Sequence, residues 1–321
     1  MGLFIMYILK NKILFFLFAF LFFFKFTNAQ KNYNLEYGFA TGVSNYLGDI
    51  GGGLNEARPT FFDLKLIKSK PNLTLFAKYK IMPNFSVKGA INYLRIAGDD
   101  NLTTNPGRKY RNLSFRNDIF DIETTVNYLF YNPTLPLSMY PQKKIYLTGY
   151  VFSGVGLFYH NPTALYNGDW VDLQPLKTEG QSSTYSKIGV SIPLGVGFYF
   201  TILKRGRAAK RIGLEINWRY TTTDYLDDIS SKTWANPANL NSSEAVALSN
   251  RNPELGLDQP NGFSNNYGWV DDGNGNNTNN APRGNPDSKD SYLSVNLCYS
   301  IVIKGTPYRS NKRRKIQRIR F

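Results

Sequence analysis

The sequence predicts an all-β fold, an eight-stranded antiparallel transmembrane β-barrel of outer-membrane type with long extracellular loops. Three observations carry that expectation. In Arg211–Thr222, Ile212, Leu214, Ile216, Trp218 and Tyr220 alternate with Gly213, Glu215, Asn217 and Arg219, a period of two with one apolar and one polar face. Six further segments share this character, a seventh is apolar on both faces, and the connections of the eight run loop, turn, loop, turn, loop, turn, loop. Outer-membrane barrels place short turns on the periplasmic side and longer loops outside, whereas a lipocalin-like soluble barrel gives no reason for that ordering. Finally, aromatic residues make up 15% of the chain, with Tyr or Phe near many strand ends, as interfacial girdles require.

The elements follow in order. Lys10 and Lys12, an apolar run from Ile13 to Phe24, and Thr27-Asn28-Ala29 before Gln30 read as a secretory signal peptide over residues 1–29. The run is too short for the roughly 20 residues of a spanning helix. Removing 29 of the 321 residues leaves 292 for the barrel and its appendages. The first strand, Asn34–Tyr46, sets Leu35, Tyr37, Phe39, Thr41 and Val43 against Glu36, Gly38, Ala40 and Gly42. After a Gly-rich loop the second sets Leu73, Leu75, Ala77, Tyr79 and Ile81 against Thr74, Lys78 and Lys80. Met82-Pro83-Asn84 forms a tight turn. The third strand, Phe85–Ile96, opposes Val87, Ile91 and Tyr93 to Lys88 and Asn92. A fourth opposes Phe120, Ile122, Val126, Tyr128 and Phe130 to Asp121, Glu123 and Asn127.

The fifth strand, Ile145–Phe158, is apolar on both faces, so its orientation is unassigned. The sixth, Tyr185–Thr201, places Lys187, Gly189, Ser191, Gly195 and Gly197 on its small and polar side. Its Pro193 withdraws a ladder donor without an evident reason. A basic turn leads to the seventh strand, Arg211–Thr222. The loop 223–290 follows, 68 residues with 14 asparagines, and the eighth strand is Tyr292–Ile303. The barrel with its loops thus occupies residues 30–303, and a basic tail occupies 304–321. The lone Cys298 cannot form an intrachain disulfide and reads as a buried thiol in a strand.

Eight strands enclose a lumen that side chains fill. The inward positions bring Lys78, Lys88, Lys187 and Arg219 together with Glu36, Asp121, Glu123 and Glu215. Both signs are present, so a self-neutralising plug of hydrogen-bonded ion pairs is expected, with no useful pore.

Enzyme chemistry finds little support. A barrel hydrolase needs a base beside a nucleophile, and the one histidine, His160, lies in Phe158-Tyr159-His160-Asn161-Pro162 without a serine two positions on. It reads as a rim histidine that holds a loop, so no catalytic residue, cofactor or small-molecule substrate is expected. Asp224, Asp227 and Asp228 cluster after the seventh strand, and Asp271–Asn276 loosely matches a calcium loop. Counted from Asp272, however, the sixth position is Asn277 and the twelfth Arg283, where glycine and glutamate are needed. No metal is assigned. Gly51-Gly52-Gly53 lacks the lysine and helix of a phosphate loop.

The formal charge of +15 resolves into parts. Lys10, Lys12 and Lys25 leave with the signal, and Lys304, Arg309, Lys312, Arg313, Arg314, Lys315, Arg318 and Arg320 crowd the tail. The body keeps about +4, ordinary for its size. The tail is a solubilising end, a contact for anionic lipid head groups, or a dock for an acidic periplasmic partner. Its place in the cell envelope excludes nucleic acid.

Several strings resemble one family. Ser44–Gly51 (SNYLGDIG), Arg111–Phe115 (RNLSF), Asp172–Leu176 (DLQPL), Thr178–Gln181 (TEGQ), Ile192–Gly197 (IPLGVG) and Thr223–Asp228 (TDYLDD) are similar to the PorG family of outer-membrane proteins, in order along the chain. That resemblance implies a non-enzymatic component of the type IX protein secretion and gliding machinery of Bacteroidetes. It implies outer-membrane lipids and the periplasmic ring proteins of that machinery as partners, with no catalytic residue to carry over. The long Asn-rich loop and the basic tail depart from the family pattern. They leave open a paralogue, with a lipid-modifying enzyme or a surface-binding barrel as alternatives.

Overall fold

Alternation along each strand closes into a ring. The computed structural model describes residues 35–50, 68–103, 105–132, 145–204, 207–255 and 282–303. All of them lie within the unit Asn34–Lys304; the signal segment 1–29 and the tail 304–321 lie outside the described residues. The strands are β1 (Leu35–Leu47), β2 (Lys70–Met82), β3 (Phe85–Asp99), β4 (Ser114–Tyr131), β5 (Ile145–Tyr166), β6 (Asp169–Asp172), β7 (Ile188–Lys204), β8 (Arg207–Thr221) and β9 (Ser291–Ile303). Antiparallel neighbours run β4-β3-β2-β1-β9-β8-β7-β5, and β4 also pairs with β5, so eight strands form a closed barrel. The short β6 pairs with β5 alone and makes a hairpin beyond the ring.

The two faces are inverted relative to a soluble protein. Outward Ile122, Val155, Leu157 and Ile188 are each more than 60% exposed, while inward Asp121, Thr125, Asn127 and Asn217 are wholly buried. A continuous exposed apolar belt is unfavourable in water and matches hydrocarbon. Exposed Tyr37, Tyr79, Tyr128 and Tyr131 gather toward the turn end, and Tyr159 and Tyr220 toward the loop end. These are the two girdles. The faces of β5 now separate: Tyr150, Phe152 and Phe158 are buried inside, and Val151, Val155 and Leu157 face outward.

Strands β3, β4 and β5 run beyond their expected ends on the loop side. There the alternation continues but the outward residues turn polar: on β4, Asp118 pairs with Arg95 at 2.6 Å and the Arg116 guanidinium lies 3.8 Å from the Trp170 ring centroid. With the apolar contrast gone, the pattern fades although the ladder persists. Pro193 also finds its reason. Pairing between β5 and β7 skips 154–155 and 192–193 and resumes in the same register, so the missing donor falls in a gap of the ladder.

The apolar core sits at the loop end. Tyr46, Leu94, Ile96, Phe115, Ile119 and Phe158 from strand ends pack with Leu173, Leu226, Ile229 and Leu248 from the connections. The extracellular connections therefore form a packed cap. Within the 223–290 loop a helix spans Ser243–Ser249, with Ser242 Oγ accepting from the Ala245 amide at 3.1 Å, an N-cap in keeping with serine's preference there.

Candidate functional site

Two polar constructions occupy the barrel, a plug in the lumen and a knot in the cap. In the plug, Lys88 on β3 reaches Glu215 on β8 at 2.6 Å and lies 4.0 Å from Glu123 on β4. In the ring order β3 and β8 stand four strands apart in either direction, so this pair straps opposite walls. Arg219 meets Asp121 and Glu123, both at 3.0 Å, and donates to Ser294 Oγ at 2.9 Å. Tyr150 donates to Glu215 at 2.6 Å. Lys78 lies 4.5 Å from the Tyr150 ring centroid and 5.4 Å from that of Tyr199, a cation–π seat for a desolvated ammonium.

One expected member of the plug is replaced. Lys187 precedes β7 and stands at the rim, 4.0 Å from Asp172 with a quarter of its side chain exposed. Starting the sixth strand at Tyr185 carried it three residues too far. The fourth luminal cation is Arg211, which bonds Glu36, while Ser300 donates to the same carboxylate at 2.6 Å. Arg211 has the parity of Glu215 and Arg219 on β8, so the signal was present in the alternation. Four acids thus face four bases. The tail positions Arg309, Lys312, Arg313, Arg314, Lys315, Arg318 and Arg320 lie outside the described residues.

Aromatic rings fill what the charges leave. A Cβ on Gly197 would stand 2.3 Å from Tyr150, and one on Gly195 2.3 Å from Phe152, each ring belonging to the paired residue on β5. Glycines on β7 let these rings lie flat against the wall. A luminal space between Glu36, Lys78 and Tyr150 measures about 10 Å³, room for about one water. Purified barrel in a planar bilayer is therefore expected to give no steady single-channel current; reproducible ohmic steps would refute the plug.

His160 is fully buried, with Nε2 3.2 Å from the Ser186 carbonyl and its ring stacked at 6.1 Å on Tyr185. The described contacts of its ring are the Ser186 carbonyl and the Phe158 and Tyr185 rings, a packing that fits a structural role. Asp224, Asp227 and Asp228 do not converge. Asp224 accepts from Ser230 Oγ at 2.8 Å, Asp227 from Tyr46, and Asp228 from Tyr185 and Thr178. Among the described residues no group of three or more ligands could hold a metal ion; Asp271–Asn276 and Gly51–Gly53 lie outside them.

The knot in the cap joins segments far apart in sequence. Tyr46, at the end of β1, has its hydroxyl 2.7 Å from Asp227 and 2.6 Å from Asp290, and receives the Asp49 amide at 2.9 Å. A Cβ on Gly48 would lie 2.1 Å from that hydroxyl, so only glycine allows the approach. Arg111 forks onto Asp100 at 2.7 and 3.0 Å, and also donates to the carbonyls of Asp49, at 2.7 Å, and Arg283. Glu179 accepts the Ser230 and Ser231 amides at 2.9 and 2.8 Å and an Arg283 guanidinium N–H at 2.7 Å. Burial pushes the Asp224 and Asp228 carboxyls up to about 6. Asp227 and Asp290 rise well above the ordinary range through burial, reinforced for both by Asp49 and Asp224 and for Asp290 by Asp227 as well.

As a site, the knot was not expected. Tyr46, Asp49, Arg111, Thr178, Glu179, Asp227 and Asp228 nevertheless come from four of the strings singled out in the sequence, which meet here. Their shared signal was the unusual density of polar residues in connections that now prove to be buried.

Comparison with solved structures gives weak similarity to small outer-membrane barrels. The chain is 9% identical to Ail, the attachment invasion locus protein of Yersinia pestis, covering 85% of this chain and 99% of that one with a TM-score of 0.31. For OprG of Pseudomonas aeruginosa the identity is 12%, the coverage 85% and 94%, and the TM-score 0.35. Neisserial surface protein A gives 9%, 84% and 97%, and 0.30. No curated protein matches the chain. One family does, over residues 11–246, most of the chain's length, and the protein is accordingly a member of the family described as a domain of unknown function, DUF6089.

Proposed function

We propose that this protein is a non-enzymatic outer-membrane component of the type IX protein secretion and gliding machinery, anchoring or assembling a periplasmic ring at the outer membrane. The observation that carries the reading is the convergence of four of the six PorG-like strings on one buried knot, while the lumen is filled by paired charges. A filled barrel passes no solute, and among the described residues no nucleophile–base pair is assembled. What remains for it to offer is a rigid anchor with surfaces at its two ends. The exposed apolar belt supports residence in a bilayer, and the signal-like residues 1–29 support export through the general secretory pathway. The basic tail supplies charge for an acidic periplasmic partner.

Crosslinked co-purification from outer membranes, with and without residues 304–321, tests the reading. Periplasmic ring proteins are expected with the full chain and are expected to fall at least about tenfold without the tail, which corresponds to about 1.4 kcal/mol of lost interaction. Recovery of no secretion protein from the full chain would sink the proposal and favour a surface-binding barrel. That second reading draws on a cleft of about 560 Å³ in the cap, bordered by Tyr166, Trp234 and Arg251.

A further inference from the structure

The contacts of Tyr46 do not balance with ordinary ionisation. A phenol carries one hydrogen, yet its oxygen stands 2.7 Å from Asp227 Oδ2 and 2.6 Å from Asp290 Oδ1 while also receiving the Asp49 amide. Tyr46 can donate to one carboxylate only. The other contact is a hydrogen bond only if that carboxyl carries its own proton and donates to the phenol oxygen. Both carboxyls are almost fully buried, and their outer oxygens already accept amides: Leu226 N–H to Asp290 and Ile229 N–H to Asp227, each at 3.0 Å.

Among the described residues no cation hydrogen-bonds to either carboxyl, and Arg111 acts on Asp227 only through space. Arg111, from the helix Pro106–Arg111, is committed to Asp100 and two backbone carbonyls. Arg283 is committed to Glu179 and Thr178. Lys289 reaches only Asp224, at 3.9 Å. The remaining groups facing the pair are acidic. Asp49 comes from the β1 loop, its Oδ2 held by the Asn285 amide at 2.7 Å; Asp224 comes from the segment after β8 and acts on both without bonding either. Arg108 acts on Asp49 at longer range.

We propose that Tyr46, Asp227 and Asp290 form a proton-sharing latch that fastens the base of the 223–290 loop to the barrel mouth and opens when the shared proton leaves. The latch has the topology for this: Tyr46 belongs to β1, Asp227 to the start of the loop and Asp290 to its return into β9. A lost proton leaves two buried carboxylates contending for one hydrogen. The sign agrees with their raised affinity for protons, because stability gained from a raised carboxyl is complete at low pH and lost as pH climbs through the folded-state value.

Hydrogen exchange at the Leu226 and Ile229 amides of the full-length barrel in detergent micelles tests the latch. Protection factors, corrected for intrinsic exchange, are expected to fall about tenfold per pH unit once opening releases one proton. In Asp290→Asn the new amide donates to Tyr46 while its oxygen still accepts from Leu226, so protection should stay flat with pH. Asp227→Asn should behave alike and serves if the first variant does not fold. The infrared band of a protonated carboxyl should be present in the wild type at neutral pH and weaken in either variant. Flat wild-type protection, an unchanged slope in both variants, or no such band would overturn the proposal. Restoration of high-pH protection by calcium chloride would also overturn it, replacing the proton with a cation.

Discussion

Arg219→Ala is expected to destabilise the folded barrel by about 3–5 kcal/mol, the range for removing one partner of a buried ion pair. Arg219 is 1% exposed and serves Asp121, Glu123 and Ser294 together. The deletion leaves Asp121 in an enclosed lumen with Tyr292, 3.3 Å away, as its main donor, and leaves Glu123 with only Lys88 at 4.0 Å and long bonds from Asn217 among its described partners. The loss should appear as a lower urea midpoint for the compact, heat-modifiable form on cold SDS gels. Combining Arg219→Met with Asp121→Asn and Glu123→Gln removes the stranded charge and should recover much of the loss. A single variant as stable as the wild type would mean that the plug contributes nothing to folding. A triple variant no better than the single would assign the loss to packing.

The plug also bears on function. Charged straps across a lumen are a costly way to fill it, since apolar residues of similar volume are often as stabilising. What they add is register: a one-residue slip of β8 would turn Glu215 and Arg219 to lipid and Ile216 and Tyr220 to the lumen. A barrel that serves as an anchor benefits from one fixed arrangement of its ends.

The ring was legible in the sequence because lipid on one face and a polar lumen on the other impose a strict period of two. β1, β8 and β9 lie close to their expected bounds. Where an outward face meets head groups or water, as at Asp118 and Arg116, the contrast disappears, and so the upper parts of β4 and β5 carry no strand signal. The aromatic–glycine matching of β5 with β7 was illegible for another reason: it depends on which residues are paired across strands, which a single strand does not reveal. Lys187 illustrates the boundary problem, as starting one strand three residues early put a rim residue in the lumen, whereas Arg211 stands inside its expected strand at the parity of Glu215 and Arg219 and was legible. The cap knot was visible only as strings. Nothing local says that Tyr46 and Asp290, 244 positions apart, will share a hydrogen.

Arg111→Ala should uncouple the cap from the ring. Arg111 is 4% exposed and binds Asp100 through two bonds, with two further donations to the Asp49 and Arg283 carbonyls. Its removal takes two charge-assisted bonds from the fully buried Asp100, which the Leu113 amide still serves at 3.1 Å, and the Asn285–Asp49 bond loses its neighbouring brace. The cost is again about 3–5 kcal/mol, but it falls on contacts beyond the closed ladder, whose eight antiparallel seams do not involve Arg111. Limited proteolysis of reconstituted barrel should therefore cut near 224–231 and 282–290 at least tenfold faster, while the ring keeps its heat-modifiable mobility. Arg111→Lys should restore little, because one ammonium cannot reproduce a fork onto Asp100 and reach two carbonyls as well. Pairing Arg111→Met with Asp100→Asn should restore more by removing the buried charge that Arg111 offsets. If ring and cap melt together in Arg111→Ala, the cap is part of the barrel's cooperative unit and cannot open alone, and a latch at Tyr46 would then have nothing separable to release.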